Sequence, residues 1–279
     1  MKKVWITSLI RDENQVGTML GTAKKYGLDA NGHFWTDDLQ HMAWRGPCDN
    51  ILDPETGLWV IMGSEKDVRA GSVGYGLALL ALTVQAKKGH GFHIMWVCAE
   101  GTLKPEALPT PLRGAEIVGA TDPSLGAKLT ARANTPVPRV AAEYRLDIHA
   151  NPGYGVWMEI GPGRGHSWDG ALLGVLEGEV DAHGVGEAGK LPQKSVLEYP
   201  MKGLKLSLGN REFTAWAVQN KLDETMSYYA RVKDVPKAML FGPLTQGEEA
   251  EVHVIEFRAG ALRGKAPSPL TGRWLGDSP

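Results

Sequence analysis

The spacing of apolar positions changes character near residue 141. Before it, short β-rich runs are interleaved with stretches of helical period; after it, apolar and polar residues alternate one by one. Val4 to Leu9 reads as a first core strand. Residues 14–27 place Val16, Met19, Leu20, Ala23 and Tyr26 on one helical face, and Gly27 suits the stop. Residues 31–36, NGHFWT, form a second expected strand. Residues 58–62, LWVIM, are apolar throughout and therefore central in a sheet. A polar loop, GSEKDVRAGS at 63–72, leads to a helix from about Ser72 to Lys88, with Ser72 as N-cap. Its apolar residues Val73, Leu77, Leu79, Leu80, Leu82 and Val84 fall on more than one face, which predicts burial on two sides. Lys87, Lys88 and Gly89 suit its last turn and stop. His93 to Val97 is another central strand, and AEIVGA at 115–120 completes the sheet. Strand, helix, strand in this order builds a parallel sheet covered by crossover helices.

Residues 120–140 carry three prolines and no sustained period, the grammar of a linker. Beyond it, AEYRLDIHA at 142–150 alternates strictly, with Tyr144, Leu146 and Ile148 on one face. GVWMEIG, KLSL at 205–208, EFTAWAV at 212–218, MSYYARV at 226–232 and EVHVIEFRA at 251–259 continue the pattern. Such alternation belongs to antiparallel sheets with one wet and one dry face. KLDET at 221–225 is too short for a helix. Residues 264–279 read as a tail, with Leu270 and Trp274 placed against the body. The expected architecture is a three-layer α/β domain over 1–120, Rossmann-like or flavodoxin-like, and a linker over 121–140. A mostly antiparallel β domain, a sandwich or open barrel, follows over 141–264, and a tail over 265–279.

Composition narrows the classes. Hydrophobic residues make up 43% of 279, enough for folded cores. The net charge of −2, with no long run of one sign, gives no broad cationic surface for nucleic acid. The opening MKKVWITSLI runs straight into Arg11, Asp12 and Glu13, so it is read as a strand and not a secretion signal. No apolar run approaches the roughly 20 residues that span a bilayer. Two cysteines, Cys48 and Cys98, make neither a disulfide scaffold nor a thiolate zinc cage. A cytoplasmic, reduced protein is the simplest expectation.

Three polar clusters offer chemistry. The loop at 63–72 leaves a buried strand and enters a helix, where backbone N–H groups can receive an anion. Gly63 and Gly71 permit close approach, Ser64 and Ser72 supply hydroxyls, and Glu65 or Asp67 can hold a ribose hydroxyl or serve as general acid or base. An ordinary crossover loop with a serine cap accounts for the same residues. Neither GxxxxGK[ST] nor GxGxxG after the first strand is present. The second cluster, residues 32–44, gathers His33, Trp35, Asp37, Asp38 and Trp44 beside predicted strands. It suits a nucleoside or sugar ring, or else supplies core anchors and a helix cap. The third, GPGRGHSWDG at 161–170, presents Arg164 to clamp an anion, His166, and Trp168 to stack on a ring, or forms a plain glycine-rich hairpin loop. His149, His183 and His253 lie in or beside alternating strands without HExxH spacing, so no metal site is assigned.

In layout the first half resembles flavodoxin-like and Toll/interleukin-receptor-like α/β modules. Some of the latter cleave NAD with a glutamate near a helix that follows a buried strand, and the resemblance implies that role for Glu65. Three functions follow: a module binding a nucleotide- or nucleoside-like molecule and carrying a β-rich interaction domain, a hydrolase cutting an N-glycosidic bond of NAD or a nucleoside, or a structural protein assembling through its loops. The first is favoured, because the polar residues gather after a central strand while no complete acid, base and nucleophile set is visible. The expected partners are a nucleotide-like ligand and a second copy or another protein. The cofactor is left open.

Overall fold

The computed structural model describes residues 1–245, 249–258, 260 and 270–274. The chain divides into two compact units, Met1–Val140 and Ala141–Pro279. The first is an α/β domain with a parallel sheet; the second is built from mostly antiparallel β-sheets.

The first unit runs β1 (Lys3–Ser8), α1 (Glu13–Lys25), β2 (Asp29–Phe34), α2 (Cys48–Leu52), β3 (Thr56–Gly63), α3 (Glu65–Arg69), α4 (Val73–Lys88), β4 (Ile94–Cys98), β5 (Glu116–Gly119) and α5 (Leu125–Asn134). Its five strands are parallel in the order β2-β1-β3-β4-β5. The β1-to-β2 and β3-to-β4 connections step in opposite directions across the sheet. Right-handed crossovers therefore put α1 and α4 on opposite faces.

Side-chain alternation along β3 follows that division. Leu58, Val60 and Met62 join Met95, Val97, Met19 and Ala23 of α1, and Leu125, Leu129 and Ala133 of α5 in one core. The other face carries Trp59, Ile61 and Trp96, all fully buried. Their indoles are satisfied: Trp59 Nε1 donates to Thr7 Oγ1 at 2.9 Å and Trp96 Nε1 to the Gly63 carbonyl at 2.9 Å. Helix α4 buries every residue from Val73 to Leu82, as its two-faced apolar pattern predicts.

Helix α1 begins at Asp12, whose carboxylate accepts from the backbone N–H groups of Asn14 and Gln15. Gly27, at φ 77°, ends it. Tyr26, expected inward, is 43% exposed and lies against Gly126 of α5. The stretch expected as a linker over 121–140 holds α5. Its buried Leu125, Leu129 and Ala133 recur every four residues, too sparse a stripe to stand out between prolines.

The second unit runs β6 (Tyr144–Asn151), β7 (Gly155–Pro162), β8 (Ala171–Leu176), β9 (Glu179–Glu187), β10 (Met201–Leu208), β11 (Arg211–Val218), β12 (Met226–Lys233), β13 (Ala238–Pro243), β14 (Glu249–Glu256) and β15 (Leu270–Trp274). Four strands make a sheet in the order β6-β7-β12-β9; six close on themselves as β10-β11-β8-β13-β14-β15. Where a sandwich or an open barrel was expected, the barrel is closed, because β15, in the stretch read as a tail, pairs with both β14 and β10. The side chains of Leu270 and Trp274 lie outside the described residues. No helix among the described residues is long and apolar enough to cross a membrane.

Candidate functional site

The loop expected at 63–72 contains a helix of its own. Ser64 caps α3 in a capping box: its hydroxyl donates to Asp67 Oδ2 at 2.7 Å, its N–H donates to the same oxygen at 2.8 Å, and the Asp67 N–H returns to Ser64 Oγ at 3.4 Å. These groups satisfy the start of a five-residue helix with one another. Glu65 forms an i,i+4 pair with Arg69 at 2.7 Å, both half exposed. Gly63 is buried against Leu9.

Ser72 stands at the N-cap position of α4, but its side chain caps nothing there. Its hydroxyl and its N–H both go to the carboxylate of Asp37. Gly71, at φ 47°, brings the turn so close to Asp37 that a Cβ would lie 2.3 Å from Oδ2. The segments 32–44 and 63–72 thus converge through Asp37, Gly71 and Ser72. Trp35 is buried against α4, where a Cβ on Gly76 would lie 2.8 Å from its ring. His33 stacks on Trp5, with ring centroids 5.9 Å apart, and its Nδ1 accepts from Trp5 Nε1 at 3.1 Å. Burial pushes its pKa down to about 4. In this segment the aromatic residues serve the core and Asp37 ties down a turn.

The third cluster belongs to the second unit. Arg164 and His166 are exposed on a turn with Gly165 at φ 81°. Trp168 is buried and exchanges two backbone hydrogen bonds with Leu222, at 2.9 and 2.8 Å.

A cleft of about 370 Å³ lies elsewhere, between α1 and α5 at the carboxyl ends of β3, β4 and β5. Met19, Met62, Val97, Ala99, Ala120 and Leu125 make its apolar wall; Asn14, Gln15, Thr18, Thr22 and Thr121 make its polar part. The polar groups have defined tasks. Thr18 and Thr22 donate their hydroxyl protons to the carbonyls of Asn14 and Thr18, at 2.8 and 2.9 Å, so their oxygens retain lone pairs as acceptors. Gln15 Nε2 donates to Asp12 Oδ2 at 3.1 Å, which fixes the side-chain amide. Among the described residues, none that lines the cleft is charged. Beside it, Asp122 is held by the Ser124 hydroxyl and N–H and by Lys128, which together bring its pKa down to about 2.

None of the cleft residues belongs to the three clusters singled out in the sequence. A signal was present: Asn14, Thr18 and Thr22 recur every four residues along one stripe of α1. Polar helix positions ordinarily face solvent, so the stripe acquires meaning only once α5 is known to pack beside it.

No family model matches this chain, and no curated protein matches it. Among solved structures, the chain is similar in part to a 3-dehydroquinate dehydratase-like protein from Bifidobacterium longum, with 17% identity and a TM-score of 0.32, over 48% of this chain and 96% of that one.

Proposed function

We propose that the first unit binds an uncharged, nucleoside-like small molecule in the cleft between α1 and α5. The observation that carries this reading is the position of the cleft. In open α/β sheets ligands bind beyond the carboxyl ends of the strands, beside the point where strand order reverses. Here the order β2-β1-β3-β4-β5 reverses between β1 and β3, and Met62 at the end of β3 lines the cleft. This strand order, with helices on both faces, supports a flavodoxin-like assignment for the unit.

The volume falls within the range of small-molecule sites, about 300–1,000 Å³. The apolar wall suits a flat ring. The hydroxyl oxygens of Thr18 and Thr22 select a ligand that donates hydrogen bonds, as base amino groups and ribose hydroxyls do. The lack of a lining cation argues against a phosphate as the recognised group. Binding is favoured over hydrolysis because none of the described residues that line the cleft is a carboxylate and Glu65 is engaged with Arg69.

Calorimetry with adenosine, guanosine, cytidine and uridine tests the proposal. One of them should bind, its 5′-monophosphate no more tightly. Thr18→Val should weaken it by about 5-fold, the worth of one neutral hydrogen bond. Ala99→Phe, which fills the cleft, should abolish binding while the melting temperature survives. No binding up to millimolar concentrations, or undiminished binding by Ala99→Phe, overturns the proposal.

A further inference from the structure

One face of the four-stranded sheet in the second unit holds an unusual group. Asp147 and His149 are two apart on β6, so both project from the same face. Glu159 of β7 is the cross-strand partner of Asp147 in the register. Three side chains of metal-binding type therefore meet from two adjacent strands, and one ligand atom from each lies within 4.8 Å of the others.

Exposed acidic groups gather on many surfaces without consequence; this group is not exposed. Asp147 is 9% accessible and Glu159 4%. Burial strips both carboxylates of water, so hydrogen-bond donors or a cation must stand in for it. The surroundings orient the ligand atoms. Glu159 Oε1 accepts from Ser227 Oγ and from the Gly189 N–H, both at 2.8 Å, which leaves Oε2 facing His149 Nε2 at 2.6 Å. Asp147 Oδ1 accepts from the Ile148 N–H at 2.8 Å. Outer partners that fix a carboxylate in this way are the usual companions of a metal ligand.

We propose that Asp147, His149 and Glu159 bind a divalent first-row transition cation of the zinc or manganese type. The imidazole selects against calcium and magnesium, which take oxygen ligands. Tetrahedral ligand atoms at about 2.0–2.2 Å from an ion stand roughly 3.4 Å from one another, so His149 Nε2 and Glu159 Oε2, now 2.6 Å apart, must open and Asp147 must close in, both by side-chain rotation. The ion takes the place of the proton between His149 Nε2 and Glu159 Oε2, and the imidazole that binds it through Nε2 carries its one proton on Nδ1. Three protein ligands leave a further position for water.

The test uses the full chain, stripped with a chelator and titrated with ZnCl2 and, separately, MnCl2 by calorimetry. At least one of the two ions should bind the wild type at one equivalent. His149→Ala and Asp147→Asn should each weaken binding by more than about 100-fold, beyond the loss typical of an outer partner, with folding checked by circular dichroism. Should either variant misfold, the wild type still decides the matter: substoichiometric Mn2+ should broaden the ring resonances of His149 ahead of those of His183 and His253. No uptake of either ion would overturn the proposal and leave a hydrogen bond between His149 and Glu159 as the account of the short contact. Uptake unchanged in both variants, or broadening centred on another histidine, would overturn it by placing the ion elsewhere.

Discussion

Two glycines at the seat of α5 give opposite expectations from the same substitution. A Cβ on Gly57 of β3 would lie 2.3 Å from the carbonyl oxygen of Ala133 and 3.2 Å from its carbonyl carbon. Comfortable contact needs about 3.5 Å, so Gly57→Ala must move the end of α5 off the sheet by roughly 1 Å. Both atoms are backbone and cannot rotate away. Overpacking of this kind costs about 1–3 kcal/mol, and the smaller entropy of the unfolded alanine chain returns about 0.4–1 kcal/mol. The net expectation is a loss of about 1–2 kcal/mol. At Gly126 a Cβ would also come within 2.3 Å of a neighbour, but that neighbour is the Tyr26 ring, 43% exposed and free to swing outward. Alanine there also gains helix propensity worth up to about 1 kcal/mol, so Gly126→Ala should be neutral or stabilising. Native-state hydrogen exchange at the β3 amides isolates the effect to the first unit, which a melt of a two-unit chain does not. If Gly57→Ala leaves protection unchanged, or if Gly126→Ala costs as much as Gly57→Ala, α5 is not seated on β3 as described, and the wall it gives the cleft goes with it.

Two further expectations concern the same unit. Leu80 of α4 is fully buried, and Leu80→Ala should cost about 2–5 kcal/mol by the same exchange measurement; a loss below about 1 kcal/mol would put this residue at the surface. His33, its pKa pushed by burial from 6.5 to about 4, stays neutral in the fold while the unfolded chain takes up a proton first. Its contribution to stability is therefore whole above about pH 6.5 and drains away as pH falls toward 4. An NMR titration of the His33 ring should show its midpoint near 4, and a midpoint near 6.5 would refute the buried, Trp5-stacked geometry.

What the sequence disclosed followed how much of each element's environment was local. LWVIM, the two-faced α4 and its Lys87-Lys88-Gly89 ending were legible because one element's own residues state its burial. β8 and β13, ALLGVL and AMLFGP, were missed because strands buried on both faces lose alternation and leave only short apolar runs. α5 was missed because its buried stripe of Leu125, Leu129 and Ala133 is sparse and lies between prolines. The candidate sites divide in the same way. Ser64, Asp67, Asp37 and Ser72 were visible as polar residues near a strand end, yet capping uses the same residue types as ligand binding, and here they bond to one another. The cleft joins residues 14–22 to residues 120–125, and the acidic and histidine group joins 147–149 to 159; only sheet order and strand register bring such residues together.

The order in which the second unit spends its strands has a consequence for how it is made. The chain lays β6 and β7 in the sheet, β8 in the barrel, β9 in the sheet, β10 and β11 in the barrel, β12 in the sheet and the last three in the barrel. Neither layer is a continuous piece of chain, so neither can finish while the other waits. Most pairings must close long loops before any reward arrives, which slows folding and leaves strand edges open meanwhile. In the first unit, by contrast, β1 to β5 join neighbours near in sequence. During synthesis that unit is complete, with its cleft in place, before the barrel receives its closing strand. A nascent or shortened chain would therefore carry a finished α/β unit attached to an unsealed barrel.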